Sequence, residues 1–262
     1  MTESNIKSSN IVLYADAIHP DAGRVNCFLD YKELEFNIIY VNPLSQREIR
    51  FTRQHRIPVL KIGETWKTDA TEIGLWLEEQ FPQKPLLGSS QAERELILQL
   101  NDWVDASLIP SCYRQLMEWE SLFGGLRNGW RLGAVLQQTR SLPLIVRLLM
   151  PALLKVRPLG GASHGPVAHA EPLAVVAERT CKELLERLGK GPFLGELTTP
   201  SLVDLAAYPQ FIMPYSLGLG RSSAFFQYPR VLGWMSRVQK TLPPNPLLAP
   251  KACFKNPLPY SC

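Results

Sequence analysis

One short segment in the first third of the chain limits the possible folds most strongly. Pro58 to Ile62 has the composition of a strand, Gly63-Glu64 that of a two-residue turn, and Thr65 to Lys67 that of a second strand. A connection of two residues makes the two strands antiparallel. Asp69 then caps a helix, with Glu72 at the reciprocal capping position. The segment therefore predicts strand, turn, strand and helix in that order.

The residues before this segment predict a parallel unit. Ile11 to Tyr14 and Phe36 to Val41 are apolar runs of strand length. Between them, His19 to Gly23 reads as a loop, and Val25, Phe28, Leu29 and Lys32 follow at helical spacing. A strand, a helix and a strand in this order predict two parallel strands. The whole order, βαβ followed by ββα, is that of a thioredoxin-like domain ending near Phe81.

The rest of the chain is predicted to be helical. Gln83 to Ser90 has the Pro, Gly and Ser content of a linker. Beyond it, apolar residues recur at helical spacing, and Ser201 to Asp204 is a capping signature. The sequence thus predicts an α+β protein with a thioredoxin-like domain over 1–82, a linker over 83–92 and an all-helical domain over 93–262.

Composition and charge exclude several classes of function. The formal charge of +4 is too small to indicate nucleic acid. The five cysteines have no CxxC pair and no histidine at ligand spacing, so we expect reduced thiols and no metal site. Met1 to Asn10 lacks the apolar run of a signal peptide, and charges interrupt the apolar segment 142–159. We expect a cytoplasmic protein.

Three local patterns, in this order and spacing, resemble those of the cytosolic glutathione transferases (GST). Ile57-Pro58-Val59-Leu60 is similar to the V/I-P-x-L of that family, in which the proline is cis. Asp69 to Ile73, followed by Leu77 to Pro82, is similar to E-S-x-A-I and Y-L-E-E-x-F-P. Pro192 to Gly195, followed by Ser201 to Ala206, is similar to P-F-L-x-G and S-x-A-D-L-A. The resemblance covers nearly the whole chain and identifies a divergent member.

This resemblance implies a glutathione site on the segment described first. The backbone of Ile57 or Val59, beside Pro58, would pair with the extended tripeptide, which serves as co-substrate. Asp69 would hold the α-amine of the γ-glutamyl group, and the N–H groups of Ala70 and Thr71 its carboxylate. Most members have Ser or Thr where this chain has Ala70. The missing hydroxyl is expected to weaken binding by roughly 0.5–1.5 kcal/mol.

The thiolate-stabilising position departs further from the family. Aligned on Val25 and Leu29, His19 stands where relatives carry a catalytic Ser or Cys, and the second position of that motif is Ala22. Three interpretations stay open: His19 stabilises the thiolate as donor or imidazolium, Tyr14 of the first strand supplies a hydroxyl, or the site binds without catalysing. Cys27 is expected on a packing face, which argues against a covalent cysteine mechanism.

Two further groups of residues allow a structural and a functional interpretation. One is a basic run in which arginines recur every three residues: Arg47, Arg50, Arg53 and Arg56, with His55 among them. The run is either a solvated helix face or a source of one residue, Arg53, His55 or Arg56, that pairs with the glycyl carboxylate of glutathione. The other group is aromatic and lies in the first two helices of the second domain: Trp103, Trp119, Phe123 and Trp130. This region lines a hydrophobic pocket in relatives, but packing in the core is the simpler expectation for each of these side chains.

The leading functional hypothesis is a glutathione transferase that conjugates the thiol of glutathione to an apolar electrophile. The alternative is a non-catalytic glutathione- or lipophile-binding protein, and a third hypothesis is an interaction scaffold without glutathione. By resemblance we expect a homodimer, with no nucleic acid partner. Segment 142–159 is expected in the buried core, with a dimer contact or a weak membrane-surface contact as the other possibilities.

Overall fold

The computed structural model describes residues 10–42, 45–117, 122–139, 144–156, 171–219 and 227–256. The first half of the chain forms a four-stranded sheet with helices, and the second half is helical throughout its described part. Trp119, His164 and His169 lie outside the described residues.

The sheet has the predicted mixed topology. Its strands are β1 (Ile11–Ala15), β2 (Asn37–Tyr40), β3 (Val59–Ile62) and β4 (Thr65–Lys67), in the order β2-β1-β3-β4. Strand β1 is parallel to β2, and β3 is antiparallel to both β1 and β4. The antiparallel pairing of β3 and β4, predicted from the two-residue turn, is confirmed.

The first helix starts earlier than the sequence predicts. Helix α1 spans Pro20–Tyr31, so Pro20 to Gly23, predicted as a loop, form its first turn. His19 is the N-cap, and its Nδ1 accepts a hydrogen bond from the backbone N–H of Asp21 at 3.2 Å. Proline is favoured at the first helical position because its ring presets the helical φ and its missing N–H has no intrahelical acceptor there. The histidine cap and the proline together extend the helix.

The segment between β2 and β3 contains a 3₁₀ helix over Arg47–Thr52. The peptide bond between Ile57 and Pro58 is cis. Helix α2 spans Ala70–Gln80 with Asp69 as its N-cap, and the Asp69 carboxylate accepts the backbone N–H of Glu72 at 3.0 Å. The predicted helix start at Asp69 is confirmed.

The second half of the chain is built from eight α-helices in its described part. Helix α3 begins at Gln91, two residues inside the predicted linker, behind a capping box of Ser90 and Glu93. The helices are α3 (Gln91–Trp103), α4 (Ile109–Met117), α5 (Leu122–Thr139), α6 (Leu144–Leu148), α7 (Met150–Val156), α8 (Leu173–Leu188), α9 (Leu202–Leu217) and α10 (Pro229–Gln239). No helix among the described residues is long and apolar enough to cross a membrane.

Helix α9 is the central element of the second half and packs directly on the first half. Gly23 of α1 is so close to Pro209 that a Cβ atom there would lie 3.1 Å from the proline ring. A Cβ on Gly74 of α2 would lie 2.5 Å from the side chain of Leu202. One continuous cluster of buried apolar residues therefore runs through both halves of the molecule.

The buried carboxylate of Asp204 fixes the start of α9. It accepts the backbone N–H groups of Ser201 and Leu194, each at 3.0 Å, and the indole N–H of Trp234 at 2.7 Å. The capping signature predicted at Ser201 to Asp204 is confirmed as a capping box. Burial raises the pKa of the Asp204 carboxyl group above its ordinary value, and these hydrogen bonds oppose the rise.

The predicted core positions of the second half are right for one aromatic residue and wrong for two. Trp103 is buried, and its indole N–H donates to Glu183 of α8 at 2.7 Å. Phe123 and Trp130 of α5 are exposed, as are Ile145, Leu148, Leu149 and Leu153 of the segment expected in the core. Apolar spacing identifies a helix face but not what covers it, and here the described face points outward.

Lys32, directly after α1, makes a buried ionic contact inside the first half. Its ammonium group donates to the Glu78 carboxylate at 2.8 Å and to the carbonyl oxygen of Phe81 at 2.7 Å. The side chain is completely buried. The Glu78 carboxylate also accepts the backbone N–H of Leu86 at 2.9 Å. The pair thus connects α1, α2 and the connection to α3.

We expect Lys32→Met to lower the free energy of unfolding by about 3–5 kcal/mol, because it leaves a buried carboxylate without its partner. Lys182→Met is the matched control, since Lys182 also lies 2.8 Å from a glutamate oxygen, that of Glu178, but in a solvent-exposed pair. Urea denaturation of both variants measures the difference. Equal effects of the two substitutions would contradict the assignment of a stabilising role to burial of the Lys32 pair.

Candidate functional site

A pocket of about 150 Å³ opens at the N-terminus of α2, where the two halves of the molecule meet. Its walls come from the start of α1, the end of the connection before β3, the start of α2 and the turn that follows α3. The lining residues are Asp21, Arg24, Arg56, Ile57, Thr68, Asp69, Ala70, Thr71 and Asp105.

The pocket brings together five of the residues singled out from the sequence: Arg56, Ile57, Asp69, Ala70 and Thr71. Five other candidates are absent from its lining. Pro58 and Val59 are buried behind Ile57, and His55 is exposed, with its Nδ1 2.6 Å from Oε1 of Gln46. Tyr14 and His19 lie on neighbouring elements.

The N-terminus of α2 forms one wall. Asp69 is exposed and uses one carboxylate oxygen to cap the helix. The first N–H groups of a helix have no partner within the helix, and the helix dipole places partial positive charge there. Ala70 and Thr71 occupy these positions in α2. An acidic side chain and free backbone donors thus stand side by side.

A buried arginine from α1 forms the floor. Arg24 is 3% exposed, and its guanidinium donates to Asp105 at 2.7 Å, to Thr71 at 3.1 Å and to Asp21 at 3.3 Å. It also donates to Asn101 of α3 at 3.3 Å. A buried arginine requires such compensation, because its desolvation costs several kcal/mol. Its Nε–H is buried without a hydrogen-bond partner in the described part of the chain.

Asp105 enters the pocket from the helical half through a local widening of the helix. Residues Val104–Leu108, between α3 and α4, form a π turn in which the N–H of Ile109 bonds to the carbonyl of Val104. Pro110 explains the widening, because a proline inside an α-helix lacks an N–H and its ring collides with the carbonyl four residues earlier. The Asp105 carboxylate accepts the Thr71 hydroxyl and the Asn101 amide, both at 2.9 Å.

The pocket therefore has mixed charge. Three carboxylates, from Asp21, Asp69 and Asp105, face two guanidinium groups, from Arg24 and Arg56. A ligand that carries an ammonium and a carboxylate group close together matches this arrangement better than a simple anion or cation. The remaining arginines of the basic run, Arg47, Arg50 and Arg53, are exposed and do not line the pocket.

The two candidate thiolate stabilisers differ in their surroundings. His19 is buried, and because its Nδ1 accepts the Asp21 N–H, this nitrogen carries no proton and the ring is the neutral Nε2–H tautomer. Protonation to an imidazolium would break the cap. The Tyr14 ring packs 5.3 Å from that of Phe51, beside a small apolar cluster that includes Ile49 and Val59.

Cys27 is not a reactive thiol in this fold. Its side chain is completely buried inside α1, and burial raises the pKa of the Cys27 thiol well above its usual range. The thiol form therefore dominates at neutral pH, whereas the thiolate is the nucleophilic form. The expectation that Cys27 lies on a packing face is confirmed.

Solved structures with the same architecture cover most of the chain. Human glutathione S-transferase T1-1 superposes with a TM-score of 0.60 over 88% of this chain and 83% of its own, at 18% identity. A glutathione S-transferase from Rhodospirillum rubrum gives a TM-score of 0.60 over 93% and 97%, at 17% identity. Human glutathione transferase theta-2, solved in complex with glutathione, gives 0.60 over 88% and 82%, at 16% identity.

This chain has the glutathione transferase fold. It consists of the predicted thioredoxin-like N-terminal domain followed by an all-helical C-terminal domain. A shorter sequence match of 63 residues is 33% identical to prostaglandin E synthase 2 of Danio rerio and covers 24% of this chain. The matched stretch spans only 17% of that relative's length. No protein-family model matches the chain.

Within the glutathione transferase fold, the sequence reasoning missed the floor of the pocket. Arg24, Asn101 and Asp105 were not singled out. They come from two helices and the π turn, and they meet the hydroxyl of Thr71 only after the two halves have packed. One local signal was present, since Pro110 lies inside an otherwise helical stretch and marks the distorted turn that carries Asp105.

Asp16, in the turn between β1 and α1 beside the pocket wall, gives a pH-dependent prediction. Burial raises the pKa of the Asp16 carboxyl group from 3.8 to about 6, against the opposing effect of a hydrogen bond from Ile18. The folded state then binds the proton more tightly than the unfolded state, so the contribution of Asp16 to stability is complete below pH 3.8 and is lost as the pH rises to about 6.

Asp16→Asn keeps the acceptor for the backbone N–H of Ile18. We expect it to reduce the pH-dependent decrease in the free energy of unfolding by up to about 3 kcal/mol. Urea denaturation of the wild type and the variant across this pH range measures it. The difference between the two proteins isolates Asp16 from other buried carboxyl groups such as Asp30. A constant offset between the two stability curves would show that Asp16 does not titrate in this range.

Proposed function

We propose that the protein is a divergent member of the glutathione transferases, which binds glutathione in the pocket at the N-terminus of α2. In this proposal it conjugates the thiol to an apolar electrophile. The observation that carries the proposal is the juxtaposition of Asp69, the first N–H groups of α2 and the buried Arg24 in one pocket beside Ile57. A fold-level likeness to glutathione transferases, one of them in complex with glutathione, supports it.

The mixed charge of the pocket fits the γ-glutamyl end of the tripeptide. This group carries an α-ammonium and an α-carboxylate on one carbon. Asp69 is a partner for the ammonium, and the N–H groups of Ala70 and Thr71 are partners for the carboxylate. The buried Nε–H of Arg24 has no hydrogen-bond partner among the described residues, and a bound carboxylate is the kind of group that would compensate it.

The backbone next to the pocket suits the extended remainder of the tripeptide. The described pairing of β1 with β3 reaches Val59, so Ile57 lies beyond the ladder at the pocket's edge. Backbone groups in such a position add an extended peptide as a further strand. Arg56 is exposed and directly precedes Ile57, and we propose it as the partner of the glycyl carboxylate.

The proposed chemistry requires a donor that stabilises the thiolate. His19 is our first candidate because it caps α1 two residues before Asp21, which lines the pocket. As the neutral Nε2–H tautomer it would act as a hydrogen-bond donor, not as a cation. Tyr14 is the second candidate, at the end of β1 opposite Val59.

One observation favours a binding protein without catalysis as the alternative. Ala70 has no hydroxyl group, and the nearby Thr71 hydroxyl is already hydrogen-bonded to Arg24, Asn101 and Asp105. The pocket therefore gives a bound glutamyl carboxylate fewer side-chain donors than relatives with Ser at the Ala70 position.

The proposal also includes the domain limits 1–82 and 93–262, a homodimer and a cytoplasmic location.

Calorimetric titration with glutathione tests the proposed binding. We expect binding to the wild type and a loss of about tenfold or more in affinity for Asp69→Asn, because a hydrogen bond to a charged group contributes roughly 1.5–3 kcal/mol. Asparagine caps helices as well as aspartate does, so α2 should stay intact. Glu72→Gln, on the same helix but outside the pocket lining, is the control.

Cysteinylglycine, which lacks the γ-glutamyl group, should not compete with glutathione for the wild type. Absence of glutathione binding to the wild type at millimolar concentration would sink the transferase and the glutathione-binding hypotheses together. Equal loss in Asp69→Asn and Glu72→Gln would place the ligand elsewhere.

The thiolate stabiliser is tested by turnover of a chromogenic electrophile and by thiolate absorbance of the complex against pH. We expect His19→Asn, which retains a cap acceptor, to lower kcat/KM about a hundredfold and to raise the thiol pKa of bound glutathione. Tyr14→Phe should change neither quantity. The reverse pattern would assign the role to Tyr14. Binding without turnover in the wild type would leave the binding-protein alternative.

A further inference from the structure

Seven of the twelve large apolar side chains that are exposed in the described part of the chain lie between Leu122 and Leu153. They belong to three consecutive helices of the second half, α5, α6 and α7, and to the one-residue turn between α6 and α7. The side chains are Leu122, Phe123, Trp130, Ile145, Leu148, Leu149 and Leu153. Phe123 is 86% exposed and Ile145 is 66% exposed, which is far from the burial that such residues usually reach.

These side chains form one surface, called here the α5–α7 face. The indole N–H of Trp130 lies 3.5 Å from the carbonyl oxygen of Leu148, which joins α5 to α6. A Cβ on Gly129 would lie 2.5 Å from the backbone of Pro151, so α5 and α7 are in direct contact. Along α6, Ile145 and Leu148 are three residues apart and share one side of the helix, and the exposed Leu149 follows directly in the turn to α7.

The charge of this region is strongly one-sided. From Ser121 to Ala170 the sequence contains no Asp or Glu, and it contains six basic residues: Arg127, Arg131, Arg140, Arg147, Lys155 and Arg157. Since the whole chain has a net charge of +4, the remainder has a net charge of −2. On α5, exposed Arg127 follows exposed Phe123 by four residues and precedes exposed Trp130 by three, so cation and aromatic rings lie on one side.

We propose that the α5–α7 face binds the surface of an anionic lipid bilayer. Aromatic and aliphatic side chains combined with Arg and Lys are the composition of interfacial membrane-binding helices, whose apolar side enters the headgroup region. Each basic residue near an anionic leaflet adds to the attraction. The contact is peripheral, because no helix in the described ranges can span the bilayer.

The charge distribution argues for lipid over a second copy of the chain. In a symmetric dimer through this face the same patch lies on both subunits, so the exposed Arg127 would meet a patch from a stretch of sequence without Asp or Glu. That arrangement brings like charges together while burying apolar area. An anionic bilayer instead supplies negative charge and an apolar interior at one surface. The proposal does not depend on glutathione binding.

Co-sedimentation of the full chain with vesicles tests the proposal. We expect the protein to pellet with vesicles of phosphatidylcholine mixed with phosphatidylglycerol, to stay in solution with phosphatidylcholine alone, and to be released by salt. Phe123→Ser and Leu148→Ser should each weaken vesicle binding about tenfold, and Arg127→Gln about fivefold. Because all three side chains are exposed, circular dichroism should show unchanged folding.

Val175→Ser is the matched control, since Val175 is an exposed apolar residue of α8 outside the face. It should pellet like the wild type. Brominated phosphatidylcholine within the anionic vesicles should quench tryptophan fluorescence, and Trp130→Phe should lose part of that quenching.

Three results would overturn the proposal: no pelleting with anionic vesicles, equal pelleting with phosphatidylcholine alone, or no effect of Phe123→Ser. A dimer in light scattering that Phe123→Ser dissociates would instead assign the face to a second copy. Capture of an acidic protein together with failure to bind vesicles would assign it to a protein partner.

Discussion

The close packing of α1 on α9 is the contact on which the rest of the structure depends. Gly23 allows the backbone of α1 to approach Pro209 closely, and the amide of Gln210 donates to the carbonyl oxygen of Pro20 at 3.3 Å. Helix α9 can occupy this place because almost all of its residues are buried and Asp204 satisfies the backbone donors at its start. The two halves therefore share the main apolar interior, and the thioredoxin-like sheet adds only a small separate cluster of Val41, Ile49 and Val59.

The pocket follows from this packing. Once α1 is fixed against α9, Arg24 is carried to the junction, where its charge is compensated by groups from both halves. The compensating carboxylate of Asp105 is available only because Pro110 widens the helix into a π turn. The same arginine therefore connects the domains and forms the floor of the ligand pocket. A loss of this ion pair would be felt both as instability and as a changed pocket, since Arg24 is buried and would keep only Asp21, at 3.3 Å, as a charged partner among the described residues.

Local signals in the sequence were sufficient for the fold but not for the pocket. The turn at Gly63-Glu64, the cap at Asp69 and the capping box at Asp204 act within a few residues, so spacing alone predicts them. The Arg24 network joins residues 47 to 81 positions apart, and nothing in a short window of sequence indicates those contacts. The start of α1 was missed because a histidine is an uncommon cap, although Pro20 was a signal of a first helical position. The outward orientation of Phe123 was missed because periodicity defines a stripe without defining its neighbour.

The pocket and the α5–α7 face differ in how they use charge. In the pocket, opposite charges alternate over a few ångströms and the arginine is buried, so the field there is short-ranged and matches the geometry of a small zwitterion. On the α5–α7 face, exposed apolar side chains lie beside the exposed Arg127, in a stretch of sequence without acidic residues, which suits a broad and fluid surface instead of a defined ligand. The net charge of +4 is the sum of a basic stretch, residues 121–170, and a slightly acidic remainder. The net charge alone therefore does not reveal that the two parts of the chain differ in sign. The distribution of charge along the chain, more than its sum, distinguishes the region proposed to bind a small molecule from the region proposed to bind a membrane surface.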